Sequence, residues 1–159
     1  MDPAFITPFI ASIQDVFSTM LQLPVTIKDP RIKADSATTY DVSGIIGMSG
    51  DVVGSVVLSF PEATARRVVS LFAGADMLPT NPDFADAVGE LVNMISGGAK
   101  AMFKGRKVSI SCPSVIVGRD HTVARQKGTP CIVIPCDTDC GELAIEIAVK
   151  AVSSAAIAA

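Results

Sequence analysis

The same order of sequence patterns occurs twice in this chain, and this internal repeat limits the fold more than any other feature. A helical pattern, a short β segment and a hairpin pattern follow one another in residues 5–60 and again in 82–149. The segments LPVTIKDP and RKVSISCP occupy equivalent places in the two halves. Hairpins join antiparallel strands, whereas parallel strands need long crossovers. We therefore predict one α/β domain of two related α-β-hairpin halves, with a largely antiparallel sheet and two long helices packed on it, rather than a Rossmann fold.

Hydrophobic spacing and turn residues place the elements within each half. Apolar residues recur at helical spacing over 5–21, and this helix is predicted to end before Pro24. A short helix after Pro61 joins the halves and is predicted to stop at Gly74. The other predicted elements are a helix over 82–104 and β segments over 39–48, 52–60, 108–117 with a break at Pro113, 131–135 and 142–149.

The composition limits the class of protein. Hydrophobic residues make up 49% of the chain and charged residues only 18%, which excludes an intrinsically disordered chain. The longest charge-free runs, 3–14 and 16–27, are shorter than the roughly 20 apolar residues of a membrane span. The shortage of charge suggests that part of the surface is covered, and we expect a homodimer. Residues 1–150 are assigned to one domain and the small, uncharged residues 151–159 to a C-terminal tail.

The distribution of charge argues against two further classes. The formal net charge is −3 and no run of basic residues occurs, so nucleic-acid binding is disfavoured. The first positive charge is Lys28, so the charged start of a secretory signal is missing. We therefore expect a cytoplasmic protein without a membrane partner.

The four cysteines and the single histidine give no recognisable metal or nucleophile pattern. Zinc sites pair cysteines at close spacing or with histidines, but Cys136 and Cys140 have three residues between them and only His121 is available. We predict no metal site and expect the cysteines, including Cys112, to be buried thiols. His121 is either a general base or, as we expect from its loop position beside Asp120, a solvated surface residue.

The helix over 82–104 carries an unusual polar face. On a helical wheel one side is apolar and is predicted to face the core, with Phe84, Val88, Leu91, Ile95, Ala99 and Met102. The opposite side is polar or small, with Asp86, Glu90, Asn93 and Gly97 flanked by Gly89 and Ser96. Glycine costs a helix about 1 kcal/mol relative to alanine. Close approach by a partner backbone would explain the glycines, and so would packing of small residues against loops of the same chain.

At these residues the sequence resembles a known family. DAVGELVNMISGGAK resembles the signature helix of the CheC/CheX/FliY group of chemotaxis phosphatases, in which Asp or Ser, Glu, Asn and a downstream Pro match Asp86, Glu90, Asn93 and Pro113. The segments FITPFIASIQDVFSTML and SGIIGMSGDVVGSVVLSFP resemble the CheX branch in particular. The similarity extends from about residue 5 to 149, and it implies a CheC-like fold.

The resemblance also implies an activity, which is hydrolysis of the aspartyl-phosphate of a CheY-like response regulator. Asn93 would position the attacking water, and Glu90 would pair with the regulator's active-site lysine. No cofactor would be bound by this chain, and Mg²⁺ would lie in the regulator's own site. Contacts with the regulator are expected from Asp86, Gly89, Ser96, Gly97 and Lys100.

Two alternatives remain open at the level of sequence. Asp86 either contacts the regulator or stabilises the start of its helix, where acids interact favourably with the helix dipole. The domain as a whole is either an enzyme or a non-catalytic module that binds a response regulator or a flagellar-switch component. The internal repeat aligns Asp15 and Ser18 with Glu90 and Asn93; because these residue types do not match the motif, we expect one active helix per chain.

Overall fold

In the computed structural model, which describes residues 2–34, 40–125 and 128–152, the helices lie on one face of a single sheet. The helices are α1 (Thr7–Val16), α2 (Glu62–Ala73) and α3 (Pro82–Ala101). The strands are β1 (Thr26–Ile27), β2 (Arg31–Ile32), β3 (Val42–Gly50), β4 (Val52–Phe60), β5 (Val108–Ile110), β6 (Ser114–Val117), β7 (Ile132–Thr138) and β8 (Gly141–Ala151). This arrangement confirms the predicted fold class.

The sheet shows the internal repeat in a form that local patterns did not predict. Its order is β1-β7-β8-β4-β3-β5, with β2 also paired to β7 and β6 to β3, and every pairing is antiparallel. The central pair, β4 and β8, takes one strand from each half and places Val56 opposite Ile147. The short strands of each half pair with the hairpin of the other half. Strands β1 and β2 of the first half pair with β7 of the second, and β5 and β6 of the second half pair with β3 of the first. The two halves therefore form one folding unit.

The N-terminal helix forms where it was predicted. A 3-10 turn, Pro3–Phe5, is capped by the Asp2 carboxylate, which accepts from the Ala4 N–H at 2.9 Å, and a π-helical turn, Phe17–Leu21, follows α1. Gln22 adopts the left-handed conformation and ends the helix before Pro24. Among the described helices, the stretch Pro3–Leu21 is long and apolar enough to cross a membrane. Its residues Phe9, Ile13 and Phe17 are fully buried in the core, as expected of a core helix.

The long helix α3 begins as predicted but ends earlier. Asn81 caps it by accepting from the Asp83 N–H at 3.0 Å, and proline occupies the first helical position, where it costs no hydrogen bond. The helix ends at Ala101, so the prediction that Met102 faces the core is wrong, and Met102 is 41% exposed. Phe103 is buried in the core instead, because the chain leaves the helix before Met102 can complete the apolar face.

The two hairpins also form as predicted, with one change. The strands of the second hairpin were predicted over 131–135 and 142–149, but β7 and β8 extend further and leave only Asp139 and Cys140 to connect them. Both strands of the first hairpin have neighbours on either side. Strand β3 lies between β4 and the short strands β5 and β6, and β4 lies between β3 and β8. The low charge of residues 39–60 suggests that this hairpin takes part in a dimer contact; its described strands offer no free edge for such a contact, and the place of the contact stays a prediction.

The face of the sheet away from the helices is covered as well. Val57 and Val133 flank Glu146 in register on this face, and all three are buried. Lys33 forms an ion pair with Glu146, and both side chains are only 7% exposed. Because both faces of the central strands are covered, part of the high apolar content is used inside the monomer.

Candidate active site

The polar residues of α3 form one exposed row, which we call the active stripe and define as Asp86, Glu90, Asn93 and Gly97. Asp86 and Glu90 are exposed, and Asn93 and Gly97 are partly exposed. Within the described residues none of the three polar side chains has an intramolecular hydrogen bond or ion pair. The stripe extends over about 16 Å at 1.5 Å per residue. It therefore presents two carboxylates and a carboxamide to another molecule.

Asp86 lies too far along α3 to act mainly as a cap. The capping side chain is that of Asn81, and the acid in the first turn is Asp83. Asp86 is the fifth residue of the helix, and the effect of the helix dipole on charges falls off within the first turn. Of the two interpretations of Asp86, its position favours contact with a partner.

Gly89 and Ser96, which were expected to flank the exposed face, are both buried. A Cβ on Gly89 would lie 3.3 Å from Pro113 Cγ and 3.5 Å from Val115 Cγ2, so β6 already occupies the space beside Gly89. The Ser96 side chain is fully buried, and its hydroxyl has no hydrogen-bond partner among the described residues. The placement of these two residues on the exposed face is wrong, because β6 and the core cover those sides of α3.

The two adjacent glycines of α3 face different surroundings. A Cβ on Gly97 would have no atom within 4 Å, so this position is open to a partner. A Cβ on Gly98 would collide with the Ser12 hydroxyl of α1, which donates a hydrogen bond of 2.7 Å to the Ile95 carbonyl. Gly98 therefore serves the close crossing of α1 and α3, whereas no contact inside the described structure requires Gly97.

Comparison with known proteins identifies the family. The family model for the chemotaxis phosphatase CheX matches residues 42–137, more than half of the chain. The chain belongs to the CheX family. The CheY-P phosphatase CheX of Thermotoga maritima is 29% identical over 123 residues, covering 76% of this chain and 79% of the relative. The range matched by the family model, 42–137, includes the active stripe and Pro113.

Solved structures agree with this assignment. A CheC-like superfamily protein from Shewanella sp. PV-4 is 33% identical and superposes with a TM-score of 0.86 over 94% of this chain and 99% of the neighbour. The CheX–CheY–BeF3–Mg²⁺ complex of Borrelia burgdorferi is 24% identical, with a TM-score of 0.76 over 92% of this chain and 97% of the neighbour. At that identity the complex shows that the fold is shared.

The remaining candidate reactive side chains are the four cysteines and His121. Burial raises the pKa of the thiols of Cys131 and Cys140, and that of Cys136 to about 12, so they are poor nucleophiles. Cys112 is exposed, which corrects the expectation of a core thiol.

His121 is partly buried rather than solvated, because its Nε2 lies 2.8 Å from Ser43 Oγ and its Nδ1 lies 2.7 Å from the Gly118 carbonyl. No group of three potential metal ligands occurs among the described residues.

The counterpart of the active stripe in the first half differs from it in backbone geometry as well as in residue type. Asp15 and Ser18 are both exposed. However, Ser18 belongs to the π-helical turn that follows α1, so the regular spacing of side chains along an α-helix is not kept there. A single active helix per chain stays a prediction, and this difference in the backbone supports it.

The structure also shows residues near the stripe that the sequence interpretation passed over. Ser12, which supports α3 at Gly98, and Val115, which packs beside Gly89, belong to other elements. Lys104 and Arg106 follow the end of α3 and are exposed. The sequence could have indicated a basic region around these two residues, because residues 91–119 contain five Lys or Arg and no Asp or Glu in a chain of net charge −3.

Proposed function

We propose that this protein hydrolyses the aspartyl-phosphate of a CheY-like receiver domain and that the active stripe of α3 is its catalytic surface. The observation that carries the proposal is the exposed pair Glu90 and Asn93, three residues apart on one helix and without partners inside the described structure. Membership of a family of chemotaxis phosphatases supports the reaction.

Asn93 is proposed to position the attacking water. An acyl phosphate is already reactive, so a catalyst mainly needs to hold a water in line with the bond that breaks. A carboxamide suits this task because its oxygen accepts a hydrogen bond from the water while its nitrogen donates to a phosphoryl oxygen. The water attacks phosphorus, the bond to the aspartyl oxygen breaks, and inorganic phosphate and a free aspartate result.

Glu90 is proposed to bind the regulator through a lysine. A carboxylate would repel the phosphoryl group, so Glu90 is better suited to a cation beside it. Residues three apart on a helix have Cβ atoms roughly 5–6 Å from each other. Glu90 and Asn93 can therefore contact a lysine and a phosphoryl group of the same receiver at once.

The regulator is proposed to bring its own Mg²⁺. The Borrelia burgdorferi CheX complex contains CheY, Mg²⁺ and BeF3, a group that stands in for the phosphoryl group. Within the described part of this chain, no cluster of three potential ligands lies on or near the stripe. Mg²⁺ would neutralise charge on the phosphoryl group from the receiver's side, while the stripe supplies the carboxamide and the carboxylate.

The test is the decay rate of a phosphorylated CheY-type receiver. Wild type should accelerate decay, and Asn93→Ala should lose about 100-fold or more of the acceleration, because the water is no longer held. Glu90→Ala should weaken both binding and turnover. The matched controls are Ser18→Ala and Asp15→Ala, which make similar changes at the equivalent exposed positions of the first half. An Asn93→Ala protein as active as wild type would reject the mechanism and favour a non-catalytic binding module.

Two further parts of the proposal concern the oligomeric state and the domain boundaries. The protein is proposed to be a homodimer with residues 1–150 as one phosphatase domain and 151–159 as a tail; residues 153–159 lie outside the described part of the chain. Sedimentation equilibrium at micromolar concentration tests the dimer, and a monomer would refute it. Removal of residues 153–159 should leave receiver dephosphorylation within about twofold of wild type if the tail is dispensable.

A further inference from the structure

The cations that follow the active stripe form no ion pair within the described part of the monomer. We define the basic end as Lys100, Lys104 and Arg106, all of which are exposed. Ion pairs within the described residues join Lys28 to Asp137, Lys33 to Glu146 and Arg66 to Asp76, so the basic end takes part in none of them. The single described contact of its charged groups is that of the Arg106 guanidinium, 4.9 Å from the centre of the Phe5 ring.

The helix dipole explains only part of this cluster. Lys100 lies in the last turn of α3, where a cation is favourable. Lys104 and Arg106 lie beyond the end of the helix, where the dipole effect has faded. Residues 91–119 contain no acid. The Asp51 carboxylate lies beside this segment, where it accepts from the Lys107 N–H at 2.7 Å, but it forms no ion pair with the basic end. The positive charge therefore remains available to a partner.

The charge changes sign along one face of α3. The order along that face is acid, acid, carboxamide, glycine and lysine at Asp86, Glu90, Asn93, Gly97 and Lys100. Glu90 and Lys100 are ten residues apart, or about 15 Å along the axis. A standard protein interface covers about 800 Å² per partner, which is roughly 30 Å across. One receiver domain can therefore cover both ends of the stripe.

The surface beside the basic end adds apolar contact area. A groove of about 430 Å³ lies between the start of α1 and the end of α3. Its lining includes Phe5, Pro8, Met102, Phe103, Lys104 and Arg106. Met102 is 41% exposed there. Methionine and arginine are enriched at protein interfaces, where an apolar centre is surrounded by polar groups.

We propose that the basic end binds an acidic surface of the same receiver domain whose phosphoryl group Asn93 engages, and so fixes the orientation of that domain on α3. This inference rests on the proposed function. Acidic residues at one end of the stripe and basic residues at the other allow the receiver to dock in one direction, since the reversed orientation would place like charges together. The basic end takes no part in the chemistry, so it sets affinity and orientation rather than the rate of hydrolysis.

The test separates binding from turnover in steady-state hydrolysis of a phosphorylated CheY-type receiver. Lys104→Glu and Lys100→Glu/Lys104→Glu should raise KM by roughly three- to twentyfold and change kcat less than twofold, since surface charge pairs act on association. KM of these variants should depend less on salt than KM of wild type. Lys150→Glu is the matched control: it makes the same charge change at an exposed residue at the end of β8 and should leave KM unchanged.

The outcomes distinguish this inference from the proposed function. If wild type does not accelerate decay, both fail. If wild type is active but the double variant has the KM and salt dependence of Lys150→Glu, the basic end is not a docking surface and the proposed function stands. Lys104→Gln removes the charge without reversing it and should give an intermediate KM. This milder change keeps the test decisive if the charge-reversed variants fail to fold. A beryllofluoride-loaded receiver, titrated with each variant, should show the same order in Kd.

Discussion

Replacing Gly97 and Gly98 one at a time with alanine should change the stability of the protein in opposite directions. The two residues are neighbours in α3 and have the same intrinsic effect on a helix, but their surroundings differ. A Cβ on Gly97 would have no atom within 4 Å, whereas a Cβ on Gly98 would collide with the Ser12 hydroxyl of α1. The pair therefore separates helix propensity from helix packing at one place in the molecule.

The magnitudes follow from the contacts. Alanine in place of a helical glycine gains about 1 kcal/mol, and Gly97→Ala should gain that amount. Gly98→Ala gains the same term but adds overpacking, which costs about 1–3 kcal/mol, and disturbs the 2.7 Å hydrogen bond from Ser12 to Ile95, which contributes about 1 kcal/mol. The free energy of unfolding should then fall by about 1–3 kcal/mol in Gly98→Ala.

Urea denaturation measures both values. The double variant Ser12→Ala/Gly98→Ala should recover part of the loss, because it removes the atom that collides with the new Cβ. Ser12→Ala alone is the control for the lost hydrogen bond. A Gly98→Ala protein as stable as Gly97→Ala, with an unchanged denaturant slope, would refute the argument that Gly98 is required by the crossing of α1 and α3.

Gly97→Ala also tests the site. Its new methyl group would project into the open surface beside Asn93, where we propose that the receiver docks. It should therefore weaken receiver dephosphorylation, measured as kcat/KM, although the protein is more stable. Activity equal to that of wild type would show that the receiver does not approach α3 closely at this position.

Three further predictions concern packing and accessibility. Lys33→Met should lower the free energy of unfolding by about 3–5 kcal/mol, since the change leaves Glu146 buried without its partner. The double variant Lys33→Met/Glu146→Leu should restore most of the lost stability. Equal stability of the single and double variants in urea would contradict this prediction. In the native protein, a thiol reagent at neutral pH should label Cys112 quickly and the three buried cysteines slowly; four equally fast thiols by mass spectrometry would disagree. Gly89→Leu should destabilise the fold by about 1–3 kcal/mol, because a new Cβ would lie 3.3 Å from Pro113 and 3.5 Å from Val115 and the larger side chain would overpack this space. Ala101→Leu, at an exposed helical position, should have little effect. Equal unfolding midpoints for the two variants would argue against the contact.

The sequence by itself determined the elements and their order. Helices and hairpins depend on residues close together in the chain, so periodicity, the proline at the first position of α3 and the glycine after α2 were enough to place them. The apolar face of α3 also followed from spacing, except at Met102, where the helix had already ended. The resemblance of the segment around Glu90 and Asn93 led to the family, which the comparison with CheX confirmed.

Only the tertiary structure decided which neighbours those elements would have. The exchange of short strands between the halves, the contact of Gly89 with Pro113 and the hydrogen bond from Ser12 to Ile95 all join segments distant in the chain. No local pattern contains such pairings, because they depend on how the complete core packs. For the same reason the sequence could not distinguish the small residues of α3 from one another. The structure shows that Gly89 and Gly98 serve packing inside the fold, whereas Gly97 stays open to a partner.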